Sequence, residues 1–571
     1  MLTTSPYCIR MAAALVAVAA AAAWSVTAWA AAEVPQPGST GSILVEGLDT
    51  HHFAITTDSA EAQAWFNQGL VLLYNFNHGE AIRSFQEAAA RDPRSAMPWW
   101  GIAHANGMHL NATEVTEAQW EAGHAAAQRA LSLLDDETPL ERALVEAVAK
   151  RTAWPVPAAQ RPYDEAYAEA MHEVYEAFPN QPDVAALYAE SLMNLQPWDY
   201  WTKDLEPKER GAEILSVIER GLATAPYHPQ LCHLYIHATE AGPNPGAAEA
   251  AADRLLTAAP AAGHLVHMPS HTYARIGRYA DAVISNEMAV EADDAFFDIG
   301  TEPGLYYVYY GHNLHFLAFA SMMEGRYGPA IEAARKLETA IPEPALDAFA
   351  FLIEGIVPTT RHVMIRFGRW EDILEEPAPP AKRPVMLATH YYSRGIALAA
   401  LGRTEEARAE QAKFEAQVGE VPGDWWVMAN QMHAVLPIGR HMLEGEIAYR
   451  EGDRDAAWEA LEQAIALEDQ LAYDEPPGWM IPVRHAMGAL LMESGEFARA
   501  EKLYREDQEA HPGNGWSLLG LAQALEAQGN EEEAAVFASK LDKAWERVDE
   551  SERPTSSCLC APEPLAAIAA R

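Results

Sequence analysis

Imidazole side chains recur at helical intervals in three short stretches, Cys232-His233-Leu234-Tyr235-Ile236-His237-Ala238-Thr239-Glu240, His264-Leu265-Val266-His267-Met268-Pro269-Ser270-His271 and His312-Asn313-Leu314-His315. Residues three, four and seven apart share one face of a helix. His233, His237 and Glu240 therefore form one set, His264, His267 and His271 a second, and His312 with His315 a third. Imidazole is the commonest protein ligand of zinc, copper and iron, and each stretch is by itself half of a metal site. Two imidazoles and a carboxylate leave coordination positions open, a donor set that serves catalytic zinc and non-haem iron as readily as a binding site.

Such ligands meet only if their helices lie side by side, so the elements that carry them come next. A recurring signal places Gly in a turn, a large or polar residue after it and Ala five positions on, with an apolar helix to either side. It occurs at Gly277-Arg278-Tyr279, Gly325-Arg326-Tyr327, Gly368-Arg369-Trp370, Gly402-Arg403-Thr404, Gly452-Asp453-Arg454, Gly495-Glu496-Phe497 and Gly529-Asn530-Glu531. Glycine suits the tight turn between paired helices, and the following Ala lets them approach closely. Upstream, Ala64 to Pro93 reads as one whole helix pair, with Trp65 and Gly69 in its first helix, Ala81, Phe85 and Ala88 in its second, and Asp92-Pro93 closing it. These positions resemble the tetratricopeptide repeat (TPR), which implies an all-α solenoid of helical hairpins, wound as a right-handed superhelix.

In TPR proteins the first helix of each repeat lines a concave groove, chiefly through its second, fifth, ninth, twelfth and thirteenth positions. In that register His264, His267 and His271 fall at two, five and nine, His312 and His315 at two and five, and His233, His237 and Glu240 at five, nine and twelve. His104 and His362 fall at nine and His485 at five. These are ten of the chain's 21 histidines, where uniform scatter over a 34-residue repeat would place about three. Neighbouring first helices lie about 8–10 Å apart, so ligands from two or three repeats converge. The alternative is a polar wall, its imidazoles hydrogen-bonding one another, Tyr235, Tyr273 and water. His51, His52, His78, His124, His172 and His511 read as surface or turn residues.

The remaining sequence narrows the function. With 82 acidic against 40 basic residues the chain carries a formal charge of −42, which repels nucleic acid and anionic membranes and draws cations and basic partners. Arg10 before the uncharged run from Met11 to Ala32, with Ala28-Trp29-Ala30 as a cleavage site, is the pattern of a signal peptide over residues 1–30. Export to the periplasm or the medium is expected, with an uncleaved N-terminal anchor as the alternative. Residues 31–60 and 550–571 are expected to be loosely held, and the repeats to run from 61 to 549. Cys8 would leave with the signal; no disulfide framework follows from Cys232, Cys558 and Cys560, and the last two are open to metal, redox or no role. Aromatic groups such as Trp99-Trp100, Trp198 to Trp201, Tyr306 to Tyr310 and Trp425-Trp426 suit core or a cleft wall.

Tyr74-Asn75-Phe76-Asn77-His78, Trp99 to His104, His267-Met268-Pro269-Ser270-His271 and Asp474-Glu475-Pro476-Pro477 through Asn514-Gly515-Trp516 resemble a family of exported bacterial TPR proteins. The resemblance covers nearly the whole mature chain and implies a fold but no activity. No phosphate loop, nucleophile elbow or His-Glu-x-x-His helix is present, so no nucleotide cofactor is expected. The reading is an extracytoplasmic TPR solenoid that binds zinc, copper or iron through groove histidines. Its rivals are a metal-free scaffold for a basic or extended peptide and a metal-dependent enzyme built on the same His/Glu cluster.

Overall fold

The computed structural model describes residues 35–299, 304 and 306–556. The stretch expected to be a signal peptide, Cys558 and Cys560 lie outside the described residues. Between Ala60 and Ala544 the described residues form a succession of helices, mostly of 9 to 20 residues, most of them within each unit packed on the next in sequence. Among the described residues the only strands are Trp426–Val427 and Asn430–Gln431, an antiparallel pair with Trp426 opposite Gln431. No described helix is long and apolar enough to cross a membrane. The fold is thus all-α, of TPR-type hairpins.

The helices form two compact units. One comprises the described residues up to Thr272 and those within Glu287–Tyr310, the other Tyr273–Asn286 and the described residues from Gly311 onward. In the second unit every turn glycine of the repeat signal takes a left-handed conformation, with φ from 63° at Gly368 to 89° at Gly452. L-residues with a side chain avoid that region, which explains the choice. The next helix begins two residues later, as at Tyr279, Tyr327, Trp370, Thr404, Arg454, Phe497 and Glu531. The alanines expected at close helix contacts, Ala282, Ala330, Ala407, Ala457 and Ala500, are fully buried, and Ile373 fills that place after Gly368.

In the first unit the Ala60–Tyr74 and His78–Arg91 helices make the pair anticipated from Ala64 to Pro93. The Phe85 ring lies between glycines of two neighbouring helices. A Cβ at Gly69 or Gly101 would stand 2.6 or 2.7 Å from it. Tyr504 repeats the device in the second unit between Gly488 and Gly520. Residues 38–57, expected to be loose, are tied to these helices: Gly38 and Thr40 donate to Glu87, Val45 to Gln68, Ile55 to Gln63 and Thr56 to Glu141. Their polar composition hid this because the ties are hydrogen bonds to helix side chains rather than an apolar stripe.

Candidate metal centre

The His-rich cluster of the first unit stands on two helical stretches. Pro229 opens the Pro229–Thr239 helix at its first turn, where its missing N–H costs nothing, and Glu240 caps the other end. That helix carries His233 and His237. Gly263–His267 and Pro269–Arg275 carry His264, His267 and His271. The start of the first of these is fixed by polar contacts: Asn75 Oδ1 accepts from the Leu265 N–H at 3.0 Å, and Tyr306 Oη accepts from the His264 N–H at 3.2 Å while donating to Asp293. Gly263 is required there, since a Cβ would fall 1.9 Å from the Asp293 carboxylate.

Six of the sequence-derived site residues come together. His233 and His237 have ring centroids 4.8 Å apart, His233 and His264 5.0 Å, and His267 and His271 4.9 Å. Ligand nitrogens of His233, His237 and His264 all lie within 4.8 Å of one another. Glu240 ties the two stretches together, with Oε1 2.8 Å from His237 Nδ1 and Oε2 2.7 Å from His271 Nδ1. His271 Nε2 in turn lies 3.0 Å from His267 Nε2. These imidazoles do not line an open groove, as their repeat positions suggested. All five are buried, and aromatic rings from elsewhere in the unit cover three of them: Phe76 at 4.8 Å from His233 and 5.3 Å from His264, Trp198 at 4.9 Å from His237, and Tyr309 at 4.7 Å from His264.

The electrostatics select a tautomer. Burial alone would raise the Glu240 carboxyl, but His271 and His237 against it outweigh burial and pull it down to about 2. Burial lowers His237 even with Glu240 pulling the other way, and burial followed by the neighbouring His237 holds His233 well below the usual imidazole range. An ionised carboxylate facing a neutral imidazole accepts a hydrogen bond from Nδ1–H, which leaves the His237 Nε2 lone pair directed away from Glu240. Gln230 does the same for His233: its Oε1 lies 3.1 Å from His233 Nδ1, with its amide nitrogen turned to Glu190 at 3.2 Å. The Nε2 atoms of His233 and His237 are buried with no hydrogen-bond partner among the described residues.

The other ligands expected from the sequence are His104, His312 and His315. His104 packs between Trp100 and Tyr167; burial, then Arg151, lowers it. His312 and His315 belong to the second unit and are buried on the Tyr306–Met323 helix, where burial and then His362 push His315 down to about 3. Sequence reasoning missed His109, which stacks on Phe76 at 4.4 Å and contacts His78, itself treated as a turn residue. The only available signal was the Tyr74–His78 stretch, for which no physical role was apparent. In the second unit, His485 meets Asp507 at 2.7 Å and Ser517 at 2.9 Å through the same Nε2, and Arg366 donates to its Nδ1. A nucleophilic triad uses opposite nitrogens for acid and nucleophile, so this fully buried group is a helix-joining network.

Two TPR family models match the chain, over residues 62–95 and 491–544. No curated protein matches it. Among solved structures it is similar to the human IFIT1 dimer with m7Gppp-AAAA, at 14% identity over 87% of this chain and 92% of that one, with a TM-score of 0.31. It is also similar to the APC/C hetero-tetramer Cut9–Hcn1, at 11% identity over 86% and 74% of the two chains and a TM-score of 0.27. Yeast Tom70 shows 11% identity over 86% and 91%, also with a TM-score of 0.27. The repeats make the chain a TPR-type helical scaffold.

Proposed function

We propose that this scaffold works outside the cytoplasm and holds a transition metal, zinc, copper or iron, through His233, His237 and His264. Glu240, His267 and His271 form the adjoining polar layer. One observation carries the reading: two neighbouring imidazoles have Nδ1 held by oxygen acceptors, Gln230 and Glu240, and Nε2 buried and unpartnered, with a third imidazole inside ligand distance. A carboxylate or amide oxygen behind a ligating histidine orients the ring and raises its basicity. Unmet buried acceptors carry a desolvation cost that a bound cation would remove. Export rests on the Arg10 and Ala28-Trp29-Ala30 pattern.

Elemental analysis of the untagged protein from an exporting host tests the proposal. About one equivalent of metal is expected, lost in the His237→Ala/His264→Ala double variant and retained in His104→Ala. Glu240→Gln is expected to weaken uptake by about 10–100-fold, as loss of an oxygen behind a ligand does. A folded wild type that takes up no metal at micromolar concentration would overturn the metal and leave the protein-binding scaffold.

A further inference from the structure

The first unit holds another polar centre, separate from the histidine cluster and unused by the metal reading. A cleft of about 670 Å³ is lined by His51, Phe53, Leu140, Asp183, Tyr227 and His228, among others. Asp183 is the second residue of the Pro182–Asn194 helix and only 7% exposed. Three donors converge on its Oδ1: His51 Nε2 at 2.7 Å, Tyr74 Oη at 3.0 Å and His228 Nε2 at 3.1 Å. All the hydrogen bonds from described residues fall on that one oxygen, and none on Oδ2.

Two imidazoles and a carboxylate at this spacing resemble a metal site, but the tautomer argues otherwise. The Leu231 N–H donates to His228 Nδ1 at 3.3 Å, so the neutral ring carries its proton on Nε2, where a metal would need the lone pair. The group is a carboxylate clamped by three donors rather than a ligand set. Burial would raise Asp183, yet His228 and His51 outweigh it and hold the carboxyl far below its usual range.

We propose that this cleft binds an organic cation, an alkylammonium or alkylguanidinium group whose charge meets the Asp183 carboxylate while its stem lies along the apolar walls. Phe53, Leu140, Pro182, Ala225 and Pro226 supply those walls. A carboxylate at the floor of an apolar cleft acts in a lower dielectric than at an open surface, and the attraction is stronger for it. The Tyr227 ring at the mouth already stands under one guanidinium, Arg254, at 5.7 Å. A formal charge of −42 raises the local concentration of such ligands.

Calorimetric titration of the full chain with cadaverine, and with an uncharged peptide scaffold bearing one central Lys, tests the proposal. Saturable binding is expected, weakened at least tenfold by Asp183→Asn and abolished by Leu140→Arg, which sets a cation at the wall. Equal affinity per ammonium for the two probes identifies a free amine as the ligand; tenfold tighter binding of the peptide identifies a side chain of an extended segment. Should Asp183→Asn fail to fold, Leu140→Arg decides alone. The proposal is overturned if neither probe binds at millimolar concentration, if 1,5-pentanediol binds as well as cadaverine, or if a folded Leu140→Arg binds like wild type.

Discussion

The turn after the first helix of a repeat is built in two ways in this molecule. In the second unit Gly277 and its counterparts occupy it at no steric cost, two residues ahead of the next helix. In the first unit the same place, two residues before the His78–Arg91 helix, belongs to Phe76, with φ of 57°. An aromatic residue gains nothing in backbone energy there, and left-handed geometry costs about 1–2 kcal/mol. What it gains is position: the turn drives the Phe76 ring into His109, His233 and His264. Trp198, with φ of 61°, does the same against His237. Strain is retained at Phe76 and Trp198, where rings close over imidazoles, as it is at Leu205, Glu209 and Met428, and absent at the glycine turns of the repeat.

Acid should act most strongly, on the packing histidines and on the metal-free His233–His237 pair alike. Burial holds His362 at about 4, and burial with Arg366 nearby outweighs Asp507 and holds His485 there too. Unfolded histidine titrates near 6.5, so from pH 6.5 down to 4 the unfolded chain binds protons that the folded chain refuses. The stability from these groups is complete above 6.5 and falls with pH, by up to about 3 kcal/mol for His362, with His485 and His315 adding to the loss. Denaturant titrations of metal-free protein at pH 7 and 4.5 measure this; equal midpoints would contradict it.

Gly277→Val adds a left-handed side chain and sets its Cβ 2.5 Å from the Pro512 carbonyl oxygen. The two penalties sum to about 4 kcal/mol. Gly402→Val meets nothing within 4 Å and should cost only the conformational part, about 1–2 kcal/mol. Thermal melts showing the two variants equally unstable would mean that the turns are constrained by φ alone. Phe76→Ala should cost about 3 kcal/mol for the buried ring and weaken metal uptake. The smallest effect sharpens the comparison furthest: Phe76→Gly should be more stable than Phe76→Ala by about 1 kcal/mol, the released strain. If instead Ala is the more stable of the two, the Phe76 turn holds no strain.

The sequence made the glycine turns legible because one residue type answers one backbone demand. The shared faces of His233, His237 and Glu240, and of His264 and His267, were legible because helical periodicity fixes them. The cover over those faces was not. Phe76 and Trp198 reach it from turns whose φ a sequence would assign to Gly or Asn, and Tyr309 comes from a segment far along the chain. The Asp183 centre was invisible for a related reason: His51 precedes the first repeat helix, and His228 is an N-cap whose neighbours on its own helix say nothing about the carboxylate across from it.

Tyr74, Asn75 and Phe76 are consecutive, and each touches a different centre. Tyr74 Oη reaches Asp183 in the cleft, Asn75 holds the start of the His264 helix, and Phe76 lies on the imidazoles. Two of the three are the last residue and the cap of one helix, and the third is a turn with little freedom to relax. For the metal and the organic cation proposed above, a tripeptide so placed would link the two sites: a cation that draws Asp183 away from Tyr74 would change the footing of the Phe76 ring. Linkage is reciprocal, so the factor by which cadaverine alters zinc affinity must equal the factor by which zinc alters cadaverine affinity, and Tyr74→Phe should bring both toward one.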